Sequence, residues 1–126
     1  MKHYYIDTNV IIDMLADRGE FAEAASNLLD AAGRGEICVY ISSLSYSNIY
    51  YIIRRYLGHE KTIESLKELS RYVGILPVNG KIIRSSLDSG FGDFEDAIQY
   101  FSALHHILPS MPLHPLYRVL PYLSLS

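Results

Sequence analysis

The chain reads as an α/β domain, a three-layer α/β/α arrangement around a mostly parallel sheet, and three observations lead there. Tyr4-Tyr5-Ile6 is a short β-rich run that ends on Asp7, Thr8 and Asn9, after which apolar residues resume at once as Val10, Ile11 and Ile12. A central parallel strand has this order where it ends on a polar crevice and feeds a helix, and in open α/β sheets ligands sit outside such strand ends. A second run, Ile37 to Ile41, is β-branched and aromatic and is bounded by Gly35 and by Ser42-Ser43. Helix-spaced residues fill the interval. A strand, about 30 residues containing helix, and a second strand make a βαβ unit with a right-handed crossover.

Taken in order, a strand is expected over His3 to Ile6 and a helix from Val10 to Leu15. Asp17-Arg18-Gly19-Glu20 resembles a capping box, an Asp acceptor with a Glu three residues on. Phe21, Ala24, Ala25, Leu28, Leu29 and Ala32 then have the i, i+3, i+4, i+7 spacing of a buried helix face, ended by Gly33 and Gly35. After the second strand, Ser42 and Ser43 cap a helix that runs to about Leu57 and closes at Gly58. Lys61 to Tyr72 is a further helix, with Ile63, Leu66, Leu69 and Val73 on one side. Ile75 to Val78 is a short strand, placed at an edge because Pro77 cannot donate to a ladder. Asn79 caps a short helix through Leu87, Ser89-Gly90-Phe91-Gly92 is a turn, and Asp93 to about His106 is helical. In that last helix Phe94, Ala97, Ile98, Phe101 and Leu104 face the core.

A chain of 126 residues is long enough to bury a core without disulfides or metal. Its one cysteine, Cys38, cannot make an internal bridge, reads as a small core residue, and fits a reducing cytoplasm. The few apolar residues before Asp7 are too short for a signal sequence, and no run is long enough for a membrane span. The net charge of −3 argues against a general nucleic-acid coat protein but leaves a nuclease open, because binding depends on where the cations lie. Seven of the eleven Lys and Arg fall between Arg54 and Arg84, where Glu60, Glu64 and Glu68 make a solvated helix face the simpler reading.

The chemistry rests on Asp93-Phe94-Glu95-Asp96-Ala97. Positions three apart share a helix face, so Asp93 and Asp96 lie one above the other in a first turn. Capping and the helix dipole explain both carboxylates up to the point where Asp7 joins them. If the sheet brings this helix start beside the end of the first strand, each like-charged pair at ~4 Å costs on the order of 4 kcal/mol at an effective dielectric of about 20. A dipole contribution of at most ~1 kcal/mol does not offset that. Such a cluster must hold a cation or bind protons. Oxygen-only ligands select a hard ion, Mg²⁺ or Mn²⁺, which clamps phosphate oxygens and activates water for phosphodiester cleavage.

The run YYIDTNVIIDML, followed by DFEDAIQYFSALH, resembles the PIN domain superfamily, particularly the VapC-type toxins and small bacterial PIN proteins; ISSLSYSNIYYIIRR resembles the matching middle helix. The resemblance covers about residues 3 to 106. It implies a Mg²⁺-dependent endoribonuclease acting on single-stranded RNA, with a Rossmann-like sheet, usually a homodimer and often held inactive by a cognate antitoxin. Asp7 matches the family's first acid and Asp96 its third, with Asp93 accompanying it, while Thr8 and Asn9 match small polar positions that shape the pocket.

Two departures stand out. Where many members carry a glutamate after the second strand, this chain has Ser45-Tyr46-Ser47-Asn48, and Asn48 offers only a neutral oxygen. Where the family continues to a further strand and a fourth acid, residues 107–126 hold four of the five prolines and no acid. The division expected is therefore a PIN-like domain over 1–106 with its C-terminal strands missing, and an atypical Pro-rich tail over 107–126, read as a frameshifted or otherwise altered end. Pro109, Pro112 and Pro115 also have polyproline spacing. The competing expectation is a catalytically inactive PIN-like module that binds RNA, an antitoxin or itself. A phosphatase of the haloacid-dehalogenase kind would need an aspartate at Asn9, and a receiver domain one near Val78-Asn79-Gly80. His105, His106 and His114 read as helix-end and surface residues, Tyr46, Tyr50, Tyr51 and Tyr56 as packing residues, and Asp13 as a solvent-side or supporting residue.

Overall fold

The computed structural model describes residues 2–19 and 22–106; the Pro-rich stretch, with His114 and the expected altered end, lies outside the described residues, as do Glu20 and Phe21. Three strands, β1 (Lys2–Tyr5), β2 (Ile37–Ser42) and β3 (Val73–Leu76), form one sheet in the order β1-β2-β3. Both pairings are parallel, with Tyr5 opposite Tyr40 and Ser42 opposite Leu76. The helices are α1 (Thr8–Leu15), α2 (Ala22–Gly33), α3 (Ser43–Tyr72), α4 (Gly80–Asp88) and α5 (Phe94–His106). The α/β reading holds: a three-stranded parallel sheet is flanked by helices. The two crossovers step the same way across the sheet, and α1, α2 and α3 pack together while α4 packs on α5. The core is aliphatic: Ile6, Ile11, Ile41, Ile49 and Ile53 are all fully buried. Among the described residues no helix is long and apolar enough to cross a membrane.

Several local expectations are corrected. Asp17 does not open α2; it closes α1. It adopts a left-handed backbone (φ 51°), and the Asp17 and Arg18 N–H groups donate to the carbonyls of Met14 and Asp13, the paired bonds of a Schellman end. Asp13 pairs with the Arg18 side chain (3.4 Å) on the surface. The third strand starts at Val73, two residues before the expected start, because the apolar spacing that marks the preceding helix runs on into the strand without a break. It lies at an edge as expected, with Pro77 just past its end. Phe94 is 47% exposed and faces away from the core, and Cys38 is half-buried. Asn79 caps α4 as expected, its Oδ1 accepting from the Ile82 N–H at 3.0 Å.

Gly58 interrupts α3 with φ 78° and ψ 171°, a conformation open essentially only to glycine. It divides α3 into two limbs, and the second is tied to the break by Thr62 Oγ1 donating to the Gly58 carbonyl (2.7 Å). A Cβ at Gly58 would meet nothing within 4 Å, so any penalty there comes from the backbone alone. Gly58→Ala is expected to lower stability by ~1–3 kcal/mol in urea melts. Gly92→Ala, equally unobstructed and without a left-handed backbone, should stay within ~0.5 kcal/mol of the parent. Equal effects at the two positions would refute a backbone origin for the penalty.

Candidate active site at the carboxyl ends of the strands

Parallel strands end on one edge, and here two of them pass directly into helices: Ile6-Asp7 leads from β1 into α1, and Ser42 leads from β2 into α3. Asp7 occupies the N-cap position of α1 with an extended backbone (φ −68°, ψ 143°), yet its side chain makes no capping bond. The carboxylate instead meets α5. Gln99 Nε2 donates to Asp7 Oδ1 at 3.0 Å, and the two side chains, 92 residues apart in sequence, are 2% and 4% exposed. A turn-and-cap role alone does not account for Asp7.

A second tie joins α1 to α3. Thr8 and Ser45 share a hydroxyl hydrogen bond (2.8 Å), Ser45 and Ser42 another (3.1 Å), and Ser42 Oγ also accepts from the Ser45 N–H (3.3 Å). Thr8 is thus a buried structural link, whereas Asn9 is exposed and Asn48 lies on the wall of the adjoining cleft.

At the start of α5, Asp93 Oδ1 accepts from the Asp96 N–H (3.0 Å), so Asp93 is the cap that the sequence predicts. Asp96 is 7% exposed, and its carboxyl is pushed up to about 6, first by burial and then by the negative charges of Asp93, Asp7 and Glu95. The contribution of Asp7 to that shift places the first and last motifs in one electrostatic neighbourhood. The ion pairs among the described residues are Arg18–Asp13, Arg34–Glu36 and Arg71–Glu68, so neither buried acid has a cationic partner there. Buried charge of this kind is costly and is concentrated at functional sites.

Beside the acids, a cavity of about 220 Å³ opens between the first turns of α3 and α5, lined by Ser42, Leu44, Ser45, Asn48, Phe94, Glu95 and Ile98. A larger hollow of about 620 Å³ lies between α1, α2 and the second limb of α3, with Leu29, Asp30, Glu68 and Tyr72 among its lining, and touches none of these acids. Among the other residues singled out, His105 and His106 sit in the last turn of α5, Tyr46 is half-buried against the core, Tyr50 and Tyr51 carry Arg54, and Tyr56 accepts from Arg18 (3.0 Å).

Among the described residues, no three His, Cys, Asp or Glu side chains gather into an ion-holding cluster. The donor chemistry nevertheless suits a hard cation. Two buried carboxylates repel one another, Asp7 Oδ2 has no hydrogen-bond partner among the described residues, and the buried Gln99 Oε1 is likewise unpartnered. Gln99 and Ser45 are not singled out by the sequence reading. The signal for Gln99 is present: Asp96, Gln99 and Ser102 form a polar i, i+3 stripe, all buried, on a helix otherwise apolar inside.

The Asp96 environment makes stability fall as pH rises. The folded chain keeps the Asp96 proton to about pH 6 and the unfolded chain loses it near 3.8, so the folded state binds more protons between those values. Ionisation of Asp96 should cost up to roughly 3 kcal/mol across that window and nothing further above it. In divalent-free buffer at pH 7.5, Asp96→Asn is expected to unfold at higher urea than the parent, and the difference should close toward pH 4. A less stable variant at pH 7.5 would show that no such repulsion exists.

A family model described as PIN domain matches residues 3–106, well over half of the chain. No curated protein and no solved structure matches it. PIN domains are typically metal-dependent nucleases, and the parallel sheet with acids at its carboxyl edge agrees with that fold. By sequence match and by architecture alike, the chain belongs to the PIN domain family.

Proposed function

We propose that the protein is a metal-dependent endoribonuclease of the toxin type, cutting single-stranded RNA with Mg²⁺ or Mn²⁺. Asp7 and Asp96 are the principal ion-holding carboxylates, with Asp93 beside them and Asn48 and Asn9 as flanking polar groups. The observation that carries this reading is the pair of buried acids from opposite ends of the domain with no cationic partner among the described residues. A bound divalent ion would neutralise phosphate oxygens and acidify a water. The chain's own groups do the rest. Gln99 holds Asp7 Oδ1 and so fixes the direction of Oδ2. The hydrogen bonds of Thr8 to Ser45 and of Gln99 to Asp7 draw α1, α3 and α5 to the same edge, where the positive ends of the helix dipoles favour a phosphodiester. Asp96, protonated to about pH 6, must release its proton before it can hold a cation.

A second reading has an observation of its own. Ser45 and Asn48 stand in the stretch where the resemblance to PIN domains implies a glutamate, and the acids among the described residues do not gather in a group of three. That favours an inactive module that binds RNA, an antitoxin or a second copy of itself. In the toxin reading, an antitoxin and a homodimer are the expected partners.

Cleavage of a labelled single-stranded RNA during a Mg²⁺ titration separates the two. The intact chain should show ion-dependent cleavage, Asp7→Asn should lose at least ~100-fold of it, and Gln99→Leu about 10–100-fold. No ion-dependent cleavage by the intact chain would leave the inactive module. Binding of Mn²⁺, followed by calorimetry in buffers of different ionisation enthalpy, should weaken below about pH 6 and release a proton near that pH. Affinity independent of pH from about 5 to 7 would remove Asp96 from the ligand set.

A further inference from the structure

We infer that the cavity between the first turns of α3 and α5 is a subsite for one unpaired nucleobase bearing an exocyclic amino group. The inference rests on the nuclease reading and adds to it a determinant of substrate choice. The two walls and the rim of the cavity differ in chemistry. Leu44 and Phe94 stand on opposite helices, 43% and 47% exposed, and Ile98 closes the space behind Phe94. Phe94 has no ring partner among the described residues, although Phe91, Tyr100 and Phe101 pack against one another at 5.1–6.2 Å. An aromatic ring left open beside a cavity is the stacking surface that an unpaired base uses.

The polar groups narrow the ligand further. Glu95 lines the cavity without an ion-pair or hydrogen-bond partner among the described residues, and the Asn48 amide is likewise unengaged there. A carboxylate only accepts, so it suits the amino groups of cytosine, adenine and guanine, whereas the N3–H donor of uracil is flanked by two carbonyl oxygens that a carboxylate repels. Asn48 can donate or accept at the neighbouring ring position. A purely aliphatic ligand would leave both groups desolvated and unpaired. At about 220 Å³ the cavity is below the ~300–1,000 Å³ typical for drug-sized ligands and leaves room for a single heterocycle. It also adjoins the acids: Glu95 precedes Asp96, Ile98 precedes Gln99, and Ser45 is bonded to Thr8. A base held in the slot brings its own phosphodiester to the edge where Asp7 and Asp96 face.

The test is an NMR titration of the intact, isotope-labelled chain, without divalent ion, using CMP, AMP, UMP and ribose 5-phosphate. CMP and AMP should shift the Asn48 side-chain amide and the Leu44 and Ile98 methyl groups saturably. UMP should bind several-fold more weakly than CMP, and ribose 5-phosphate should leave those signals in place. Phe94→Ala, at an exposed position, should weaken CMP by about tenfold, and Glu95→Gln should narrow the gap between CMP and UMP. The inference is overturned if ribose 5-phosphate reproduces the shifts, if UMP binds as tightly as CMP, or if Phe94→Ala changes nothing. None of these readouts requires cleavage. Base binding without RNA cleavage would therefore count against the nuclease reading alone, and RNA cleavage without base binding against the subsite alone.

Discussion

The contact between Gln99 and Asp7 governs the rest of the molecule. A carboxylate buried to this degree cannot rely on water, and it has no cation among the described residues, so a side-chain amide supplies what hydration would have given. A hydrogen bond to a charged group is worth about 1.5–3 kcal/mol, more than a neutral one but less than the several kcal/mol that desolvation of an ion costs. Asp96 shares the problem: its own burial first, and then the negative charges of Asp93, Asp7 and Glu95, raise its affinity for a proton. The same contact aligns the last described helix with the first strand, and it does so across almost the whole length of the domain.

The hydroxyl chain from Thr8 through Ser45 to Ser42 has a complementary role. It joins the starts of α1 and α3 with small neutral groups, so those two helices approach without adding charge. A carboxylate in the stretch around Ser45 would add a further negative group to the edge that already holds Asp7, Asp93, Glu95 and Asp96. With Ser45 and Asn48 there instead, the repulsion that a cation would offset is smaller, and so is the number of ligands available to hold one. Stability without an ion and affinity for an ion move in opposite directions here. The cleft beside the acids takes part of its polar lining from Ser42 and Ser45 and its apolar lining from Leu44, Phe94 and Ile98.

A residue is legible in the sequence when its type has one common use, and obscure when it has several. Tyr4-Tyr5-Ile6-Asp7 is legible because a β-rich run seldom stops abruptly on an acid except where a strand meets a polar crevice, and the structure puts Asp7 at that strand end. Asp93 and Asn79 are legible as caps for the same reason. Asp17 is not: aspartate serves the start of a helix by its side chain and tolerates a left-handed backbone at the end of one, and only the φ angle tells which. Val73 continues the helical spacing of Leu66 and Leu69, so periodicity cannot show where α3 yields to β3. Phe94 reads as inward because an aromatic at helical spacing usually packs, yet it stands largely exposed in the first turn of α5. Gln99 stays obscure because a glutamine on a helix has no default meaning until a partner 92 residues away gives it one.

Among the described residues β1 lies at one edge of the sheet and β2 at its centre, so the central place that the sequence suggests for the first strand is not seen there. No strand among the described residues lies along the outer side of β1, so its backbone donors and acceptors form a template of the kind that recruits further strands. Its protection is brevity: four residues, beginning with a lysine, offer a stranger too few rungs to hold. A β-prone extension fused ahead of Lys2 would lengthen the ladder without lengthening its defence. Self-association through edge pairing would then grow with each added residue.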